Sequence, residues 1–151
     1  ARPVLDAMGS RVYDCGRAPG MGSTAKMINQ LLCGVHIAAA AEAMHLAERS
    51  GVSTATMHEI ISVSAGNSWM WGDRGPRMMQ NDPAVTSAVD IFVKDLGIVL
   101  DAGKTSKMPL PLTAAAHQLY LAASAKGLGR EDDAAVIKVY ADQTGIKLPG
   151  R

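Results

Sequence analysis

From Ser23 to about Ser50 nothing interrupts a helical pattern except Gly34. Met27, Ile28, Leu31, Leu32, Val35, Ala38 and Ala39 recur at helical spacing, and Gly51 stands where a C-terminal glycine ends such a run. At about 1.5 Å per residue the stretch reaches roughly 42 Å, the width of a whole domain of this size. A helix that long must run through the middle of whatever the rest of the chain builds. It is alanine-rich on most sides, and the chain has a single phenylalanine, Phe92. A core of Ala, Leu, Ile, Val and Met suits close helix packing better than a sheet. Gly34 costs about 1 kcal/mol relative to alanine inside a helix, and a close helix crossing is a better reason for it than a functional role.

Shorter helices are predicted after it. Thr54–Ser64 follows Ser53 as N-cap and closes near Gly66, and Trp69–Gln80 is stopped by Asn81-Asp82-Pro83. Ile91–Gly103 places Leu96, Val99 and Leu100 on one face; Leu110–Lys126 begins at Pro109/Pro111 and ends at Gly127. Asp132 or Asp133 caps a last helix to about Gln143, closed by Gly145. Ser23 or Thr24 is the expected cap of the long helix. Residues 1–18 read as a helical stub, a possible strand at Arg11–Tyr13 and a turn at Gly16. That is too little for a sheet, because a strand needs partners, and the segment reads as a domain boundary. The expected fold is all-α, a bundle around one long central helix.

Size and charge bound the function classes. The 151 residues allow one domain with a real core. A formal net charge of +1 and scattered basic residues give no field for nucleic acid or a membrane surface. No uninterrupted apolar run approaches the roughly 18 residues of a membrane span. Cys15 and Cys33 lack metal-type spacing, which suggests a reduced, cytoplasmic protein. His36, His45, His58 and His117 form no ligand pattern, so no metal is expected.

Four clusters could carry chemistry. Gly20-Met21-Gly22 resembles the start of a dinucleotide fingerprint, but Ala25 takes the third glycine's place and no βαβ unit surrounds it; a turn into the long helix fits better. Lys26, Asn29, Gln30 and Cys33 lie at i, i+3, i+4 and i+7 and share one helix face. An ammonium beside two amides can orient a hydroxyl or carbonyl together with a carboxylate; a solvated first turn gives the same pattern. Phe92-Val93-Lys94-Asp95-Leu96 reads equally as surface charge, and Ala65-Gly66-Asn67-Ser68-Trp69 as a ligand loop or a helix cap.

Taken together, Gly20-x-Gly22-x-x-x-Lys26-x-x-Asn29-Gln30, Lys94-Asp95-Leu96, Pro109-Leu110-Pro111-Leu112 and Gly129-x-x-Asp132-Asp133-Ala134-Ala135 resemble the C-terminal half of the β-hydroxyacid dehydrogenases, in that family's order and spacing. The family includes enzymes acting on 3-hydroxyisobutyrate, tartronate semialdehyde and 6-phosphogluconate. The resemblance implies a fold like the C-terminal domain of 6-phosphogluconate dehydrogenase over residues 19–151, with residues 1–18 the end of a Rossmann domain. It implies an NAD(P)-dependent oxidoreductase of a small 3-hydroxy acid, with NAD or NADP bound mainly by that other domain, and a homodimer or homotetramer.

By the same resemblance Lys26 is the general acid/base, Asn29 and Gln30 hold substrate with Asn67 and Trp69, and Lys94 and Phe92 lie at the cofactor. A free lysine titrates near 10.4, so a basic role needs desolvation or a neighbouring cation. Many members carry asparagine where Gln30 stands; the longer amide moves its donor by about one methylene. Gln30, His36–Ala43, Gly66–Met70 and Asp90–Gly97 most resemble the branch acting on L-threonate, which points to a four-carbon sugar acid. Alternatives are specificity for tartronate semialdehyde or 3-hydroxyisobutyrate, a non-catalytic dimerisation module, and an independent ligand-binding bundle, which would need a closed pocket of its own.

Overall fold

The structure is a computed structural model that describes residues 1–80 and 83–144. Seven α-helices are present among them: α1 (Arg2–Met8), α2 (Met21–Arg49), α3 (Thr54–Ser62), α4 (Trp69–Met78), α5 (Val89–Ser106), α6 (Pro111–Ala123) and α7 (Ile137–Thr144). The predicted breaker Asn81-Asp82 and the predicted stop at Gly145 lie outside the described residues. No strand forms at Arg11–Tyr13, and the described residues hold only one isolated β-bridge, between Ala88 and Asp132. Arg11–Tyr13 has no extended neighbour to pair with, and α1 before it buries no residue.

Helix α2 is the axis. Ile37, Ala41 and Met44 are fully buried on it, and Leu96, Val89, Tyr120, Val136 and Val139 close around them from α5, α6 and the C-terminal turns. Burying each large side chain stabilises the fold by roughly 1.5–3 kcal/mol. Gly34 marks the crossing with α5: a Cβ there would stand 2.9 Å from Leu96 Cδ2 and 3.0 Å from Phe92 Cδ1. By length and mean hydropathy alone α2 could cross a membrane, although polar residues interrupt its apolar run; the fully buried side chains named above are packed in the bundle.

The long helix starts earlier than its hydroxyl residues suggest. Gly20 is the N-cap at φ 90°, without a side-chain cap. Ser23 and Thr24 therefore fall inside the first turn, where Thr24 Oγ1 donates to Gly20 O at 3.3 Å. Glycine enters the left-handed region at little cost, so the turn completes before the hydroxyls are reached.

Other caps follow the sequence. Ser53 accepts from Thr56 N and Ser68 from Trp71 N, each worth about 1 kcal/mol. Asp132 caps a 3-10 turn, Asp133–Val136, that leads into α7. A π-helical turn, Ser124–Leu128, ends α6 with Gly127 at φ 84°. The polar heart of the bundle is ionic. Asp133, fully buried, receives Arg74 Nε at 2.6 Å and Nη2 at 3.1 Å, while Arg77 Nη1 reaches Asp132 at 2.9 Å. These pairs lock α4 to the 3-10 turn and so fix the Asn67–Trp69 loop that precedes α4.

Candidate active site

The first three turns of α2 carry Lys26, Asn29 and Gln30 on one face, and the loop into α4 stands beside that face. Between them lies an open groove of about 540 Å³ lined by Asn29, Leu32, Cys33 and His36 of α2 and by Asn67, Ser68, Trp69 and Met70. Three of the predicted substrate residues, Asn29, Asn67 and Trp69, thus share one wall system. Trp69 is 73% exposed whereas Trp71, two residues on, is 3% exposed and stacks on His58. Ser68 as N-cap orients this pair: one indole is sent into the core and the other over the groove.

Lys26, Gln30 and Lys94 form a second, adjoining cluster. Lys26 Nζ donates to Gln30 Oε1 at 2.6 Å, and Asn29 Nδ2 donates to the same oxygen at 3.2 Å. Gln30 Nε2 donates across the helix crossing to Asp95 Oδ2 at 2.8 Å, and Lys94 Nζ pairs with Asp95 Oδ1 at 3.0 Å. Asn29 Nδ2 also approaches Cys33 Sγ at 3.3 Å, joining the cluster to the groove. Burial pushes the Cys33 thiol up, with the charge of Lys26 and the Asn29 bond opposing less strongly; it remains a thiol at neutral pH.

Phe92 stands apart from both. It is 2% exposed, stacks on Tyr120 at 5.1 Å between ring centres and abuts Gly34. Three residues from Asp95 on α5, it faces the core side of the helix, so in this chain it offers no surface to a cofactor. Lys94, on the solvent side, does. Sequence reasoning did not single out Asp95 as a partner of Gln30, nor His36 as a groove residue. His36 was detectable, being seven residues from Asn29 and so on the same face. Asp95 required knowing which helix crosses at Gly34. Among the described residues no group of three or more His, Cys, Asp or Glu side chains could hold a metal.

A lysine, two amides and an exposed indole thus stand along one open face of the bundle. Residues 20–140 match the family described as NAD-binding of NADP-dependent 3-hydroxyisobutyrate dehydrogenase. The chain is 56% identical, over all of its length and 50% of the relative's, to an L-threonate dehydrogenase of Cupriavidus necator. A crystal structure of a 3-hydroxyisobutyrate dehydrogenase from Salmonella typhimurium superposes with a TM-score of 0.87 at 52% identity, covering 91% of this chain and 48% of that one. The 3-hydroxyisobutyrate dehydrogenase of Mycobacterium tuberculosis, in a structure with L-serine, does so with a TM-score of 0.78 at 30% identity, covering 91% and 49%.

The chain belongs to the β-hydroxyacid dehydrogenases, a family of NAD(P)-dependent oxidoreductases. It spans about half the length of the curated relatives it matches.

Proposed function

We propose that this chain is the C-terminal catalytic and dimerisation domain, residues 19–151, of a cytoplasmic NAD(P)-dependent dehydrogenase of a four-carbon sugar acid such as L-threonate, with residues 1–18 the end of its Rossmann domain. The observation that carries this reading is an open half-site: Asn29 lines a groove with Asn67 and Trp69, and exposed Lys26 adjoins it about one turn earlier on the same helix face, on a surface that a second domain would close. An independent ligand-binding bundle fits poorly, because the groove is open rather than enclosed.

A nicotinamide, which the other domain would mainly hold, would supply the hydride acceptor for the carbinol carbon. Lys26 Nζ takes the hydroxyl proton as that hydride leaves and returns it in reduction. Asn29 and Asn67 donate to the acid's oxygens, and the Trp69 ring covers its carbon chain. Lys94, charged and exposed, is the group of this chain that fits a cofactor. Closure over the groove expels water, and desolvation favours the neutral amine that a base must be. Oligomerisation through this domain is supported by Leu112, 71% exposed at the edge of an apolar groove with Val35, Ala39 and Leu119.

The test is NAD(P) reduction by the full-length protein with L-threonate, D-glycerate and 3-hydroxyisobutyrate. Preference for L-threonate supports the reading. A preference for 3-hydroxyisobutyrate or reduction of tartronate semialdehyde would replace the substrate, and no turnover with any would leave a dimerisation module.

A further inference from the structure

Gln30 is an unusual helix-surface amide in that both its ends are chemically committed. Its oxygen accepts from Lys26 Nζ at 2.6 Å and Asn29 Nδ2 at 3.2 Å, and its nitrogen donates to Asp95 Oδ2 at 2.8 Å. An ammonium only donates and a carboxylate only accepts, so the partners themselves dictate which end of the amide points where. Asp95 is itself held: its side chain is 15% exposed, Lys94 pairs with its other oxygen, and the next residue, Leu96, is the fully buried contact of Gly34 at the α2–α5 crossing. The carboxylate therefore sits on the rigid part of the bundle, whereas Lys26 is exposed on the second turn of α2. Removing one methylene from Gln30 would retract the amide by about 1.5 Å, too far to satisfy Lys26 and Asp95 together.

We propose that Gln30 and Asp95 are positioning residues for Lys26: Asp95 fixes the Gln30 amide, and the Gln30 oxygen holds the Lys26 amine where it meets the substrate hydroxyl. This rests on the proposed function, and it gives Gln30 a role other than substrate contact. A flexible four-carbon stem is thereby tied to the helix crossing. A misplacement of about 1 Å at a reacting group can cost on the order of 10²-fold in rate, so the tie acts on turnover rather than on affinity.

Steady-state kinetics of the full-length enzyme with its preferred acid, for Lys26→Ala, Gln30→Ala, Gln30→Asn, Asp95→Ala and the Gln30→Ala/Asp95→Ala pair, test this. Gln30→Ala and Asp95→Ala should each lower kcat by roughly 10- to 10²-fold with KM within about threefold, and the double variant should be no worse than the poorer single one. Gln30→Asn should resemble Gln30→Ala, because the shorter amide cannot span. A rise in KM with kcat intact would make Gln30 a substrate contact and overturn the proposal, as would Asp95→Ala turning over normally or losses that multiply in the double variant. Thermal melts identify any variant lost to misfolding, for which Asp95→Asn replaces Asp95→Ala; its amide keeps the shape and can still accept from Gln30, so rescue of kcat is expected and its absence contradicts the tie. Collapse of Lys26→Ala with normal Asp95→Ala would sink this inference alone. Normal turnover of Lys26→Ala would sink the proposed function itself.

Discussion

Arg74 and Asp133, 59 residues apart in the chain, meet in a buried two-point contact, Nε to Oδ1 at 2.6 Å and Nη2 to Oδ2 at 3.1 Å. Burial raises the Asp133 pKa, and the Arg74 guanidinium pulls it back. Burial likewise works against the charge of Arg74, but Asp133 and then Asp73 more than offset it, so its pKa rises. Truncating one partner strands the other. Arg74→Ala should lower stability by about 3–5 kcal/mol, while a well-packed apolar replacement of both residues should cost far less. Chemical denaturation of the two variants decides it.

The α2–α5 crossing depends on a missing side chain. A Cβ at Gly34 would crowd Leu96 and Phe92 at 2.9–3.0 Å. Overpacking of this kind costs about 1–3 kcal/mol, partly offset by the roughly 1 kcal/mol alanine gains in a helix. Gly34→Ala should therefore melt slightly lower than the parent, and Gly34→Val, with more bulk and a smaller gain, markedly lower.

Two stacked rings, His45 buried and Tyr140 half-buried, make stability depend on pH. Burial, then Arg49, lowers the His45 pKa from 6.5, with Glu48 opposing; His45 Nε2 meets Thr144 Oγ1 at 2.7 Å. The unfolded state then binds the proton more readily, so this contribution is present above about pH 6.5 and is lost as pH falls below it. Tyr140, stacked on His45, is pushed up to about 12 by burial and by Glu42. Its neutral phenol favours the folded state, and that contribution is lost as pH rises from 10 toward 12. Melting temperature against pH should fall at both edges, and His45→Gln should flatten the acid one.

Trp69 reports on the groove. It is exposed and outside the core, so Trp69→Phe should change stability by no more than about 0.5 kcal/mol. In the full-length protein the preferred acid should quench tryptophan fluorescence, and this variant should lose that response while Trp71 still emits.

Much of the bundle is legible in the sequence because it is local. The spacing of Met27 to Ala39, the caps at Ser53 and Asp132 and the glycine stop at Gly51 depend on residues a turn or two apart. Gly34 is likewise readable as a crossing, but its partner helix is not, since nothing near Gly34 encodes Leu96. The Gln30–Asp95 bond, one turn along that crossing, was hidden for the same reason. So was the Arg74–Asp133 pair: Asp133 is legible as a cap, but nothing local points to a guanidinium 59 residues away. Phe92 shows the reverse limit: its place beside Lys94-Asp95 in the sequence suggests the site, yet the helix turns it inward against Tyr120. The start of α2 is not legible from Ser23 and Thr24, because a left-handed Gly20 can begin the helix without any capping hydroxyl.

Everything proposed for the site turns on Lys26. Turnover of the preferred acid by the full-length enzyme and its Lys26→Ala variant, measured beside their melting curves, addresses it directly. Loss of a general acid/base should lower kcat by roughly 10²–10⁴-fold, with the melt unchanged, because Lys26 is exposed and its bond to Gln30 lies on the surface. Near-normal turnover by a folded Lys26→Ala protein would make Lys26 an ordinary helix-start lysine and contradict the assignment.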